Sequence, residues 1–197
     1  LSSTPQYNLL YDFFGWQRPQ YIHLAPIMRD HEHKLSKRYG DANFEDFVSK
    51  GYLPEAIVNY IALLGWSPKG NQEKLSMSDL IEQFSIDGLS QSPSIFDPVK
   101  MRWLNKEYIT ALSPEAFAEA ARPFFGKSKA YGKYDEELIF QLLQPRLETL
   151  GDIPEMIDFV EEWEGYDLEL FVHQKNKTDK ELAKTILTAA LPVLENT

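Results

Sequence analysis

The sequence predicts a mainly α-helical protein, on three observations. Most apolar segments after residue 41 have helical spacing, begin at a proline or a capping residue, and in several cases end at a glycine. Strand signals are few: the best extended stretch is QYIHLAPIM, residues 20–28, where Pro26 disfavours helix at the residue before it. The chain has 197 residues and 43% hydrophobic content, which is enough to bury a substantial core.

The clearest predicted helix begins at Pro54 and ends at Gly65. A shorter helix precedes it and ends near Gly51, and residues before 41 form the least helical part of the chain. Three apolar residues of the clearest helix have spacings that predict one shared face: Ile57, Ile61 and Leu64.

Further helices are predicted along the rest of the chain. Residues 135–150 follow a helical pattern that Pro145 interrupts. Five other helix starts carry a capping residue or an N-terminal proline: Ser76 or Ser78, Asp97 with Pro98, Ser113 with Pro114, Pro154, and a capping box of Thr178 with Glu181.

The composition narrows the classes of function. A net charge of -10 gives no global reason to bind a polyanion, so any RNA contact must rest on local basic patches. The absence of cysteine excludes disulfides and thiolate zinc sites and fits a reducing compartment, so we expect a cytoplasmic protein. No apolar run approaches the roughly 20 residues that span a bilayer. The chain begins without methionine in sequence that looks internal, and we therefore expect a fragment.

The segment ARPFFGKS, residues 121–128, fits a loose phosphate-loop pattern. A phosphate-binding loop of this kind follows a buried strand and opens a helix. Here a helix-like segment precedes the motif and a polar, glycine-broken stretch follows it. We therefore do not interpret it as a nucleotide site.

The same region has a second interpretation, because cations alternate with aromatic residues between 122 and 134. Cations can hold phosphates and aromatic faces can stack on bases, so the region is a candidate RNA contact. The alternative is a solvated loop between helices whose two phenylalanines fill the core. The candidate RNA-binding residues are Arg122, Lys127 and Lys129.

The histidines do not form a predicted metal or catalytic site. His31 and His33 are two positions apart, which neither places them on one helix face nor matches a zinc-binding spacing. His23 and His173 are isolated, and no nucleophile, histidine and acid are arranged as in a hydrolase. We predict no metal site.

The KLSKR segment, residues 34–38, concentrates three cations around one serine in an acidic chain. Charge clusters are commonly solvated surface. A short segment with this spacing can also bring ammonium groups and a hydroxyl to a triphosphate and stabilise the charge that develops on departing pyrophosphate.

KLSKR resembles the signature loop of class I aminoacyl-tRNA synthetases, in the form characteristic of bacterial-type glutamyl-tRNA synthetases. Four surrounding stretches are also similar to that family: LSSTPQ, GWQRPQYIHLAPIM, GYLPEAIVNYIALLGWSP and SIFDPVKMRWLNKEYI. The resemblance covers nearly the whole chain. The family often reads His-Leu-Pro where this chain reads His23-Leu24-Ala25-Pro26.

The resemblance implies a ligase that activates glutamate with ATP and transfers it to tRNA. Lys34 and Lys37 fall at the signature lysines, and Lys37 is the expected phosphate contact during adenylate formation. Ser36 would support it by hydrogen bonding, and Arg38 and His23 are further ATP-binding candidates. ATP and Mg would be substrates of the parent enzyme, with neither bound to the fragment, and neither a membrane nor DNA is an expected partner.

By the same resemblance, residues 1–40 end an α/β Rossmann-type catalytic domain, residues 41–130 form a helical stem-contact region, and residues 131–197 begin a helical anticodon-binding region. The family's N-terminal half, with its ATP signature and glutamate pocket, is absent, so we expect tRNA binding without complete catalysis. Trp103 and Asn105 are expected to pack and cap within their helix.

Three alternatives stay open. The chain could be a tRNA-binding module without catalysis, a helical domain that binds another protein, or part of a glutamine-specific relative.

Overall fold

Helices dominate the part of the chain that the computed structural model describes, which is residues 2–35, 43–70, 72–161, 165 and 167–195. The prediction of a mainly α fold is confirmed. The chain divides into two units, Leu1–Asp158 and Phe159–Thr197, each with its own internal contacts.

The first element is helix α1, Thr4–Phe13, in the part of the chain for which the sequence predicted least helix. None of its residues is buried. Tyr7, Leu10 and Phe13 are all more than half exposed. Its apolar side chains therefore pack into no core within the described residues. The prediction from apolar spacing missed this helix.

Two short strands form a parallel pair. Strand β1, Ile27–Met28, pairs with β2, Ser94–Ile95, and the Phe96 amide continues the ladder by donating to the Met28 carbonyl at 2.8 Å. The extended stretch predicted over residues 20–28 is confirmed as strand only at its last two residues, because residues 16–26 are irregular.

Helices α2, Phe44–Ser49, α3, Pro54–Gly65, and α4, Met77–Gln83, follow. Ser76 rather than Ser78 caps α4, since its hydroxyl accepts a hydrogen bond from the Asp79 amide. The predicted face of α3 is wrong at Ile61, which is 52% exposed while Ile57 is fully buried. The buried face instead runs through residues 56, 57, 59 and 60.

The middle helices begin as predicted. In α5, Pro98–Thr110, the Asp97 carboxylate accepts from the amides of residues 99 and 100. In α6, Pro114–Phe125, the Ser113 hydroxyl accepts from the amide of residue 116. Helix α7, Glu136–Leu143, ends before Pro145, where the pattern predicted an interruption.

The last two helices differ from their predictions. Helix α8, Ile153–Ile157, gives way to a 3₁₀ turn and is shorter than expected. Helix α9 is Lys180–Glu195, and its cap is Asp179, whose carboxylate accepts from the Leu182 amide at 2.8 Å. The predicted capping box at Thr178 is wrong, because Thr178 pairs through its backbone with His173 and lies one residue too early.

Two clusters of buried side chains form the core of the first unit. One joins α6, α7 and α8, where the rings of Phe117, Phe125 and Phe140 meet edge to face at centroid distances of 5.5–5.7 Å. The other joins α3 to α5 through residues such as Ile57 and Leu104. The expected pair of core phenylalanines is confirmed for Phe125 alone, since Phe124 is only partly buried.

Asn105 connects three segments of this unit. It is fully buried, its Oδ1 accepts from the Leu53 amide at 2.8 Å, and its Nδ2 donates to the Glu148 carbonyl at 2.6 Å. Its side chain therefore provides hydrogen-bond partners for backbone groups in one segment that precedes α5 in the sequence and one that follows it. Trp103 was also expected to pack within its helix, but it is 43% exposed.

Candidate functional site

The first lysine of the KLSKR segment stands at the end of a tight hairpin. The chain turns after β1, and the Arg29 amide donates to the His33 carbonyl at 2.8 Å. The Met28 and Lys34 backbones then form an antiparallel bridge, and the Leu35 amide donates to the Ile27 carbonyl at 3.0 Å. The backbone of Lys34 is thus anchored on the edge of the small sheet opposite β2.

One carboxylate holds this turn together. Oδ1 of Asp30 accepts from the Glu32 amide at 2.9 Å and the His33 amide at 2.8 Å, and lies 2.8 Å from Nδ1 of the His33 ring. The backbone hydrogen bond from Glu32 and the contact with His33 hold the pKa of Asp30 well below its usual range. Asp30 was missed as a candidate, although aspartate followed by a turn is a recognisable signal for this arrangement.

Two of the five predicted nucleotide-binding residues, His23 and Lys34, lie within the described part of the chain. The Lys34 side chain is exposed, as a ligand contact requires. Ser36, Lys37 and Arg38 lie outside the described residues. His23 lies in the irregular segment before β1, where its ring stacks on Tyr21 at 6.4 Å. Among the described residues, no hydrogen bond joins the side chains of His23 and Lys34.

The three predicted RNA-binding residues have different surroundings. The Arg122 guanidinium donates to Glu136 at 2.9 Å, across the groove between α6 and α7. The Lys127 ammonium lies over the Phe124 ring, 4.8 Å from its centroid. The Lys129 amide donates to the Asp158 carboxylate at 3.0 Å. These three contacts are made to different partners: Glu136 on α7, the Phe124 ring within α6, and Asp158 after α8.

The phosphate-loop pattern is rejected on its structural context. Helix α6 runs up to Phe125, so no buried strand precedes the motif. Ser128 is 7% exposed and donates to the Asp158 carboxylate at 2.7 Å, which commits its hydroxyl to the fold. The residues that would cradle phosphate instead close the turn after α6.

The described part of the chain offers neither a metal cluster nor a membrane-spanning helix. No group of three or more histidine or acidic side chains there is placed to hold a metal ion. None of the helices in that part combines the length and apolar character needed to cross a membrane.

Comparison with known families identifies both halves of the chain. Residues 1–103 match the family described as tRNA synthetases class I (E and Q), catalytic domain. The chain belongs to this family. Residues 116–197 match a second family, described as an anticodon binding domain. The resemblance inferred from the KLSKR segment and its surroundings is confirmed.

Individual relatives agree with the family match. The glutamate–tRNA ligase of Clostridium acetobutylicum is 47% identical over 196 residues, and that of Clostridium botulinum (strain Loch Maree) is 49% identical over 195. These matches cover 100% and 99% of the chain but only 40% of each relative, so the chain spans about two fifths of their length.

Among solved structures, the glutamate–tRNA synthetase of Elizabethkingia anophelis superposes with a TM-score of 0.68 at 29% identity. It covers 84% of the chain, and the chain covers 38% of it. A glutamate–tRNA ligase from Elizabethkingia meningosepticum, solved in complex with its amino acid, gives a TM-score of 0.67 at 28% identity over 89% of the chain and 39% of the other protein.

Proposed function

We propose that this chain is part of a glutamate–tRNA ligase, an enzyme that activates glutamate with ATP and transfers it to tRNA. The observation that carries the proposal is the match of the whole chain to glutamate–tRNA ligases at 47% identity. The hairpin that anchors Lys34 supports it, because a fixed backbone with an exposed ammonium group suits a phosphate contact.

In this proposal the KLSKR segment stabilises the triphosphate of ATP, which arrives as its magnesium complex. Lys34 and Lys37 act as the catalytic cations, placing positive charge where pyrophosphate departs, and Ser36 and Arg38 add hydrogen bonds. His23 lies on the approach to the nucleotide. Because two ammonium groups act on charge that grows in the transition state, their loss is expected to lower the rate more than the affinity for ATP.

The remaining helices take the role of tRNA contact. Residues 1–40 complete the catalytic domain, residues 41–130 contact the stem, and residues 131–197 begin the anticodon-binding region. Arg122, Lys127 and Lys129 are the proposed RNA contacts from the predicted set. The enzyme would work in the cytoplasm, where ATP and tRNA are available.

A chimera tests the proposal directly. This chain replaces the matching two fifths of the Clostridium acetobutylicum ligase, and tRNA-dependent glutamylation is measured. The chimera is expected to charge tRNA with glutamate. The double variant Lys34→Ala/Lys37→Ala is expected to lose about 100-fold or more in kcat, because each lysine contributes electrostatic stabilisation of the transition state. Lys69→Ala, which removes an exposed lysine from the loop after α3, serves as the matched control.

Each alternative corresponds to a different result. A folded chimera that binds tRNA but never charges it would favour a tRNA-binding module, and one that binds no tRNA at any salt concentration would favour a protein-binding domain. Charging with glutamine in place of glutamate would favour the glutamine-specific relative. Unimpaired charging by the double lysine variant would remove the catalytic role of the KLSKR segment.

A further inference from the structure

The second unit contains a basic stretch. Residues 159–197 hold 8 acidic residues, four lysines and no arginine, and all four lysines fall within residues 172–184. That stretch has only two acidic residues, Asp179 and Glu181. It is therefore a local basic patch of the kind that RNA binding requires in a chain whose net charge is -10.

Two of these lysines lie at the tip of a short basic hairpin. The backbones of its end residues, His173 and Thr178, pair in both directions with nitrogen-to-oxygen distances of 3.1 and 3.2 Å. Inside the loop, the Asn176 amide donates to Nδ1 of the His173 ring at 3.2 Å. The Lys177 amide donates to the Gln174 carbonyl at 3.3 Å. These contacts fix the backbone of the whole tip.

Lys177 adopts a backbone conformation that lysine rarely takes. Its φ is +53°, and in the part of the chain that the structure describes no other residue except glycine has a positive φ. Glycine or asparagine would occupy this left-handed conformation at a lower cost. Strained residues of this kind cluster at ligand clamps and other functional sites. The positive charge of Lys177 is the property that glycine and asparagine lack.

The two lysines at the tip carry charge that no described carboxylate balances. Lys175 and Lys177 are exposed, and neither forms an ion pair with a described residue. Lys180, by contrast, is paired with Glu169. Because consecutive Cα atoms are about 3.8 Å apart, the Cα atoms of residues 175 and 177 lie within about 7.6 Å of each other. Both ammonium groups can therefore reach one phosphodiester group or two neighbouring ones.

The chemistry of the tip favours a nucleic acid over a protein as its ligand. The tip residues Gln174, Lys175, Asn176 and Lys177 are all polar. The centre of a protein–protein interface is usually enriched in aromatic anchors and depleted in lysine. Contacts with a sugar-phosphate backbone need only cations and hydrogen-bond donors. The hairpin also lies within residues 116–197, which match an anticodon binding domain.

We propose that the basic hairpin contacts the sugar-phosphate backbone of tRNA, with Lys175 and Lys177 as its charged groups. The inference rests on the proposed function and adds to it a contact in the second unit that the sequence prediction did not include. A fixed backbone suits this role, because less conformational freedom of the loop is lost when the RNA binds.

Equilibrium binding of transcribed glutamate tRNA to the 197-residue chain, measured over a range of salt concentrations, tests the inference. The variant Lys175→Gln/Lys177→Asn removes both charges. Asparagine tolerates the left-handed backbone at position 177, so Tm is expected to be unchanged. Binding is expected to weaken roughly tenfold at about 0.15 M salt, and the slope of log K against log salt is expected to fall by about 0.7–0.9 per lost contact.

Two further variants serve as controls for this measurement. Lys69→Gln/Lys106→Gln removes the same formal charge from the first unit and is expected to change the affinity and the slope far less. Lys175→Arg/Lys177→Arg is expected to restore binding, because arginine also contacts phosphate.

A crosslink locates the contact. The chain has no cysteine, so Asn176→Cys introduces a single thiol at the hairpin tip for a photoreactive label. The labelled protein is expected to crosslink to bound tRNA on irradiation. Ser2→Cys, at an exposed position before α1, carries the same label as a matched control and is expected to crosslink far less.

The outcomes separate this inference from the proposed function. Failure of the unaltered chain to bind tRNA would count against the proposed function itself. Normal tRNA binding by the unaltered chain, with losses in Lys175→Gln/Lys177→Asn no larger than those in Lys69→Gln/Lys106→Gln, would overturn the hairpin contact alone. A label at position 176 that crosslinks no more than the label at position 2 would do the same. Binding of polyglutamate as tight as that of tRNA, and lost in the same hairpin variant, would assign the hairpin to an acidic polypeptide and overturn the RNA contact.

Discussion

Replacing Asn105 with alanine is expected to destabilise the first unit more than any surface change. The side chain is fully buried and makes two hydrogen bonds, one to the Leu53 amide and one to the Glu148 carbonyl. Alanine can make neither of them. Both backbone groups would then lose their hydrogen-bond partner.

The size of the effect follows from these two groups. A buried polar group left without a partner costs about 1–3 kcal/mol. The Leu53 amide is in a buried hydrogen bond, whereas the bond to Glu148 is only partly buried, so water can recover some of the second loss. We therefore expect a loss of about 2–4 kcal/mol in the free energy of unfolding. For a unit of this size that corresponds to a decrease of roughly 5–15 °C in Tm.

Thermal unfolding followed by circular dichroism measures this loss, and hydrogen exchange at the Leu53 amide locates it. Asn43→Ala is the matched control, because Asn43 precedes α2 without its side chain capping that helix. We expect the control to change stability by about 0.5 kcal/mol or less. A Tm for Asn105→Ala within 1 °C of the control, with the Leu53 amide still protected, would refute the reasoning.

Three further predictions concern other sites. Asp30→Ala in the chimera should lower kcat for charging, because the turn before Lys34 loses the side-chain acceptor of its two backbone amides. Asp30→Asn keeps an acceptor oxygen and should retain most of the rate. Equal rates for the two variants would contradict this prediction. Burial raises the pKa of Tyr60 and Tyr108 to about 12, so the stability that these neutral phenols contribute below pH 10 should be lost as the pH rises to 12. Phenolate absorbance recorded together with unfolding measures this loss. Ionisation of every tyrosine near pH 10 in the folded protein would contradict the prediction. Gly151→Ala should lower Tm, because a Cβ at this position would lie 2.4 Å from the Lys50 carbonyl oxygen and would force the two backbones apart. An unchanged Tm would show that the turn adapts.

The sequence predicted best those elements whose cause is local. Pro54, Asp97 and Ser113 act through the first turn of their own helices, and each begins a helix in the structure. The end of α7 before Pro145 has the same origin, since proline removes a donor from its own position. Short-range chemistry of this kind can be recognised without knowing what lies nearby in space.

The sequence predicted least well what depends on distant residues. Whether Ile61 or Tyr60 lies on the buried face of α3 depends on where α5 packs. The pairing of Arg122 with Glu136 depends on contacts between separate helices. The family resemblance located the KLSKR segment, but Asp30, which shapes the turn before it, became apparent only from the hydrogen bonds of the hairpin.

The two hydrogen bonds of Asn105 also set an order of events during synthesis on the ribosome. Its acceptor atom can meet the Leu53 amide as soon as α5 has emerged, because both partners are then present. Its donor group lacks its native acceptor until residue 148 has been translated. Until then, only one of the two native hydrogen bonds of Asn105 can form. The second becomes possible after more than 40 further residues have been translated and the turn before α8 has left the exit tunnel.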